Sequence, residues 1–256
     1  MTTMRHIPAS SFYAPKHTWL DSRFHFSYAE YYNPQNINFG VIRLLNDDFV
    51  KPLSGFDTHP HNDMEVYTYV VEGELTHNDS MGTAETLGPG SIQYMSAGRG
   101  ISHSERNLSA NKELHFLQIW IKPNEIGLDP DYGSRVFKKE DRHNKIQHVA
   151  TNCDGNNKAA LLNKDTGEGI IPIHQDANIY ISEVDAGVEQ EFVLQMKRQA
   201  YMVCIEGALS VNQHYDLQAR DALEIKADIQ SPQHLKLKAD QQKGAHFLLI
   251  EMATEQ

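Results

Sequence analysis

Short runs in which apolar and polar residues alternate, or β-branched residues crowd together, recur along the whole chain, while apolar residues at helical spacing are scarce. The clearest runs are 40–45, 65–72, 91–95, 114–122, 179–184, 201–205, 223–226 and 246–251, with Gly, Pro, Asn or Asp in the gaps. Successive side chains of an extended chain point to opposite faces, so these runs suit strands that bury one face. Many short strands separated by turn residues predict an all-β sandwich or barrel, not an α/β sheet. The single helical expectation is a short helix within 140–148.

The pattern also repeats. Residues 67–78 read YTYVVEGELTHN and residues 201–212 read YMVCIEGALSVN. Tyr67, Glu72, Gly73, Leu75 and Asn78 match Tyr201, Glu206, Gly207, Leu209 and Asn212 at a constant offset of 134 (206 − 72). A strand, a tight Glu-Gly turn and a second strand account for both copies. The expectation is two related β-barrels, a domain of residues 1–135 and a domain of residues 136–256. The stretch 152–157 (NCDGNN) is expected to be an exposed loop near the junction.

Composition narrows what such a chain does. Apolar residues make up 40% of the 256, enough for packed cores and against wholesale disorder. The formal charge of −11, from 34 acids and 23 bases, repels phosphate backbones and anionic lipid, so direct binding to nucleic acid or a membrane surface is not expected. Cys153 and Cys204 are the only cysteines and form no CxxC pair, which removes a disulfide framework and a thiolate zinc site. No stretch reaches the length of a spanning apolar helix, and the N-terminus lacks a signal-peptide core, so the expected location is the cytoplasm.

The informative chemistry lies in 55–107. His59 and His61 are two apart, and so are His103 and Glu105. On strands that spacing turns both members of a pair to one face. If the two strands are neighbours, three imidazoles and a carboxylate converge on one divalent transition metal. Such a donor set suits Fe(II), Mn, Co, Ni, Cu or Zn and suits Ca or Mg poorly. It leaves positions for water, O₂ or substrate. His77, His115, His148, His174, His214 and His246 have no partner at ligand spacing and are expected to be satisfied or surface histidines. Arg99 is expected on an exposed turn.

These residues resemble the cupin superfamily and, more specifically, the pirin family of bicupins. The cupin elements are Gly55, His59, His61, Glu65 and Gly73, then Gly90, Gly98 and His103. The pirin-like phrases are HPH, VVEGELTHNDSMG, GPG and MSAGRGISHSE, and WLDSRFHFSYAEYYNP resembles bacterial pirin-like proteins. The likeness runs to about residue 125 and weakens afterwards. In many cupins the first-motif glutamate, here Glu65, completes the metal site, whereas the pirin pattern implies Glu105. Glu105 is ranked first, with Glu65 as an outer neighbour or exchangeable ligand. In the second barrel the offset places Val193 and Gln195 where His59 and His61 stand. A shifted alignment sets His234 against His103 but Lys236 against Glu105, so no metal is expected there.

The resemblance implies a quercetin 2,3-dioxygenase activity, in which a metal, Fe(II) first among the candidates, works with O₂ to open the heterocycle of a flavonol and release carbon monoxide. Glu105 then accepts or hydrogen-bonds the proton of the flavonol 3-hydroxyl. Two other readings stay open at this point. One is a redox-responsive regulator of the pirin transcription-cofactor type, acting through a protein partner. The other is a binding or storage module with a structural metal, which the absence of thiolates disfavours.

Overall fold

The structure is a computed structural model that describes residues 2–153, 161–164, 166–228 and 230–254. Its strands run, in chain order, β1 (Thr3–Ile7), β2 (Leu20–Phe24), β3 (Ile42–Val50), β4 (Ser54–His61), β5 (Glu65–Glu72), β6 (Leu75–Asp79) and β7 (Ala84–Leu87). There follow β8 (Ser91–Ser96), β9 (Ile101–Asn107), β10 (Leu114–Ile121), β11 (Asp131–Val136), β12 (Gln147–Asn152), β13 (Ile171–Ile173) and β14 (Ala177–Val184). The last are β15 (Glu189–Leu194), β16 (Arg198–Val211), β17 (Tyr215–Gln218), β18 (Ala222–Lys226), β19 (Gln233–Ala239) and β20 (Ala245–Ala253). The α-helix expected in 140–148 is one turn, α1 (Lys139–Arg142), because the chain enters β12 at Gln147. Among the described residues no helix is long and apolar enough to cross a membrane.

The chain divides into two compact units, and each is nearly all strand. One holds residues 13–137 and 153–175; the other holds 1–12, 138–152 and 176–256. The chain does not divide at a single boundary: residues 153–175 group with the N-terminal unit, and the first twelve residues with the C-terminal one. Their anchor is β1, which pairs antiparallel with β18 from Thr3↔Lys226 to Ile7↔Ala222. The Arg5 guanidinium donates through both Nε and Nη2 to the Glu224 carboxylate across that ladder. Of the loop expected at 152–157, residues 154–157 lie outside the described residues.

In the N-terminal unit a six-stranded sheet, in the order β11-β8-β5-β10-β3-β2, faces a four-stranded sheet, β4-β9-β6-β7. Val70, Phe116, Leu114 and Val50 of the first sheet pack on Leu75 and Leu87 of the second. Burying such side chains is the main favourable term, each contributing roughly 1.5–3 kcal/mol. The arrangement is a jelly-roll sandwich; ladder pairing does not close it into one continuous barrel. The C-terminal unit is built alike, around an apolar core that includes Met202, Leu209, Leu223, Leu235, Leu237 and Phe247.

The internal repeat is visible in the backbone, with one change to its expected form. Glu72-Gly73 and Glu206-Gly207 are not hairpin turns. Gly73 stands between β5 and β6, which belong to different sheets, and Gly207 lies inside β16, which pairs with β20 up to that residue and with β17 beyond it. Both glycines carry the chain from one sheet to the other at positive φ, 81° and 74°. A Cβ would lie 2.4 Å from Glu113 O at the first and 2.2 Å from Gly244 O at the second, so only glycine fits.

Candidate metal centre

The two ligand pairs lie on adjacent strands. β9 alternates buried and partly buried residues throughout, with Ile101, His103, Glu105 and Asn107 turned inward. Its neighbour β4 pairs Phe56 with Glu105 and His59 with His103. Three steps on β4 thus match two on β9, so one extra residue is accommodated at Asp57-Thr58, both exposed. This bulge reverses the alternation and brings His59 and His61 to the face of Phe56. Without it Phe56 and His59 would point to opposite sides. Gly55 makes the close approach of the strands possible, since a Cβ there would lie 2.5 Å from Glu105 O.

One nitrogen from each of His59, His61 and His103 lies within 4.8 Å of the other two. The His61 and His103 Nε2 atoms are 3.0 Å apart. His59 Nδ1 donates to the Asp57 carbonyl at 2.8 Å, which leaves its Nε2 with the lone pair. Burial, reinforced by repulsion from His103 and His59, lowers the His61 pKa to about 4. Burial, with His59 and His77, lowers that of His103 to about 3. Both rings are therefore neutral at pH 7, the form a metal needs. His61 and His103 are buried while His59 is partly open to solvent. The edge of Trp120 meets His61 at 4.8 Å between ring centroids.

Glu105 falls in a second, overlapping group. It clusters with His103 and His77, and this group shares His103 with the triad of His59, His61 and His103. His77, expected to have no such place, sits opposite Glu105 on β6, while Asp79 sits opposite His103. His77 Nε2 contacts Asp79 Oδ2 at 3.1 Å, both side chains being fully buried. The Nδ1 atoms of His77 and His103 are buried without a hydrogen-bond partner. Each such atom costs on the order of 1–3 kcal/mol unless an ion or a water meets it. Three imidazoles converging at this spacing, with unmatched buried nitrogens beside them, fit a divalent transition metal.

Glu105 itself is held by hydrogen-bond donors. Its Oε1 accepts from Thr68 Oγ1 at 3.0 Å and from Gln93 Nε2 at 2.6 Å, and its Oε2 accepts from Gln118 Nε2. Thr68, Gln93 and Gln118 form one rung across β8, β5 and β10. Nothing in their spacing along the chain announced this; it needs the pairing of three strands.

Glu65 stands elsewhere. It begins β5, in the other sheet from His59 and His61, and on the opposite side of that strand from Thr68 by strand alternation. Its oxygens accept from Tyr67 OH at 3.0 Å, from the His174 backbone N–H at 2.9 Å and from His174 Nδ1 at 2.6 Å. It belongs to neither triad. Arg99 pairs with Asp129 at 2.5 Å on the exposed surface, as expected of a turn residue. His115 is satisfied by Asp47 at 2.8 Å, and His148 by Asn178 at 3.0 Å.

Two jelly-roll units in one chain, with a histidine triad between the facing sheets of the first, make this a bicupin. Residues 5–121 match the pirin family, and residues 160–252 match the quercetinase C-terminal cupin domain. The quercetin 2,3-dioxygenase of Escherichia coli K12 is 38% identical over 196 residues, which cover 77% of this chain and 78% of that one. A pirin-like protein of Caulobacter vibrioides is 39% identical over 210 residues, 82% and 85% of the two chains. The crystal structure of the bacterial pirin YhhW from Escherichia coli in complex with nickel(II) superposes with a TM-score of 0.85 at 32% identity, covering 99% of this chain and 100% of that one. The chain belongs to the pirin family.

Proposed function

We propose that this protein is a metal-dependent dioxygenase that opens the heterocyclic ring of a flavonol such as quercetin with O₂. The observation that carries the proposal is the convergence of His59, His61 and His103 with His59 toward solvent. His59, His61 and His103 hold one divalent metal, Fe(II) by preference. When bound, that metal would supply a Lewis acid and a redox centre for chemistry with O₂. The rest falls to side chains. The Asp57 carbonyl fixes the His59 tautomer. Glu105, beside the triad, accepts the proton of the flavonol 3-hydroxyl, and Trp120 gives a flat ligand an aromatic wall. Two ring carbon–carbon bonds are then broken, both oxygen atoms enter the products, and one carbon leaves as carbon monoxide. The name of the Escherichia coli relative supports the same chemistry.

The test is anaerobic loading with Fe(II), elemental analysis, and an aerobic quercetin-depletion assay on the same sample. Oxygen-dependent depletion that disappears in His61→Ala is the expected result. One metal per chain with no turnover overturns the flavonol reading and favours the redox-responsive regulator acting through a protein partner.

A further inference from the structure

His103 meets the other ligand histidines through its Nε2, which lies 3.0 Å from that of His61. A neutral imidazole that gives a metal its Nε2 lone pair carries its proton on Nδ1, and that N–H needs an acceptor. His59 has one, the Asp57 carbonyl. The corresponding atom of His103 is buried with no hydrogen-bond partner, and so is Nδ1 of His77.

The two unmatched atoms are complementary. His77 Nε2 lies 3.1 Å from Asp79 Oδ2, and both side chains are fully buried. An ionised carboxylate only accepts, and Asp79 Oδ1 is already engaged by the backbone N–H groups of Met81 at 2.9 Å and Thr83 at 3.0 Å. His77 therefore bears its proton on Nε2 and presents a lone pair at Nδ1. The ring centroids of His77 and His103 are 5.3 Å apart, with the planes tilted by 52°. Two imidazoles joined by an N–H···N bond of about 3 Å have centroids about 5 Å apart, so a turn of the His103 ring closes the bond without a change of separation. Tyr132 stacks on His77 at 4.5 Å, and its hydroxyl donates to Glu85, which stands opposite His77 on β7.

We propose that His77 is a positioning residue that accepts the Nδ1 proton of His103, so that Asp79, His77 and His103 form a relay of hydrogen bonds ending at the metal. The inference rests on the metal reading above and deepens it. The relay fixes the tautomer and orientation of His103 and makes its Nε2 a stronger donor. The C-terminal unit supplies a contrast. The repeat offset of 134 puts Val211 in the place of His77 and Gln213 in that of Asp79. Val211 is fully buried opposite Leu237, where His77 faces Glu105. Where the inward strand carries leucines, the relay is absent too.

The experiment uses the full chain loaded with Co(II), whose paramagnetism moves the ring protons of ligand histidines far outside the ordinary proton spectrum. Co(II) affinity is measured by chelator competition, and the shifted imidazole N–H signals are followed after transfer to D₂O. His77→Phe keeps a flat ring against Tyr132 and removes the acceptor, and His77→Gln returns an acceptor oxygen. Asp79→Asn leaves its amide oxygen on the Met81 and Thr83 N–H groups and turns its NH₂ to His77, which moves the His77 proton to Nδ1. The expected result is a Co(II) affinity about tenfold to a hundredfold lower in His77→Phe and Asp79→Asn, with most of the loss restored in His77→Gln. One shifted N–H resists exchange in the parent and exchanges with the others in His77→Phe. Asp79→Asn carries the test if His77→Phe does not fold. Parent-like affinity and exchange in the folded variants overturn the relay alone, as does an equal loss of affinity in His77→Phe and His77→Gln. A parent chain that takes up no Co(II) overturns the relay together with the metal centre it serves, and quercetin turnover enters neither result.

Discussion

The β4–β9 ladder and its counterpart β15–β19 use the same pairing for opposite ends. His59 stands opposite His103 in the first, and Val193 opposite His234 in the second. Phe56 faces Glu105, and Glu191 faces Lys236. Two things differ. The first ladder carries the extra residue at Asp57-Thr58, whereas the second runs in register from Glu189↔Lys238 to Leu194↔Gln233. The phase is also reversed. β9 turns His103 and Glu105 inward, while β19 turns Leu235 and Leu237 inward and leaves His234 and Lys236 outside. A shift of one residue in a strand exchanges its two faces. In one unit the interior holds imidazoles, in the other leucines.

The largest break in this comparison is removal of a buried ligand. His103→Ala is expected to reduce metal content from one per chain to background by elemental analysis, while circular dichroism keeps its β signature. Glu105→Ala is expected to weaken metal binding by about tenfold to a hundredfold without abolishing it, in the range of changes beside a ligand. Full loss on that variant would make Glu105 a necessary ligand.

The leucine side of the comparison is tested by Leu237→Ala. It should cost about 2–5 kcal/mol in denaturant unfolding, as for other buried leucines, and leave the metal content of the folded protein unchanged.

Acid separates the two interiors as well. Unfolded histidines titrate near 6.5, whereas His61 and His103 do so at about 4 and about 3 when folded. Between these limits the unfolded chain binds more protons. The contribution of these two rings to the stability of the metal-free protein is therefore full above pH 6.5 and falls as pH drops toward 3. Urea midpoints taken at pH 7, 5.5 and 4.5 should decrease, with a shallower decrease in His103→Asn; equal slopes would contradict the assignment. The smallest effect belongs to His234→Ala. Its side chain is 63% exposed and pairs with Glu191, so metal content should not change and stability should shift by at most about 1 kcal/mol.

Much of this was legible in the chain. The i, i+2 spacing of His59 with His61 and of His103 with Glu105 names the strands and their inward face. The Glu-Gly repeat names the second unit. That Glu105 also neighbours His77 did not follow, because strand alternation says nothing about the pairing of β9 with β6. His77 escaped notice since its partners, Glu105 and His103, come from pairing with β9 and not from nearby residues. Glu65 was counted because the first cupin motif carries a glutamate at that place. Yet β4 ends at His61, and β5 begins at Glu65 in the other sheet. Strand β1 is five residues long with no clean alternation, and its place beside β18 is a matter of long-range pairing.

The central claim is that one metal sits on the histidines of the first ladder and that the second ladder contributes none. Metal stoichiometry of the parent, His61→Ala and His234→Ala, loaded with Fe(II) without oxygen and desalted together, tests it most directly. The account predicts one metal per chain in the parent and in His234→Ala, and background in His61→Ala. Two metals per chain in the parent, or one retained by His61→Ala, would contradict it.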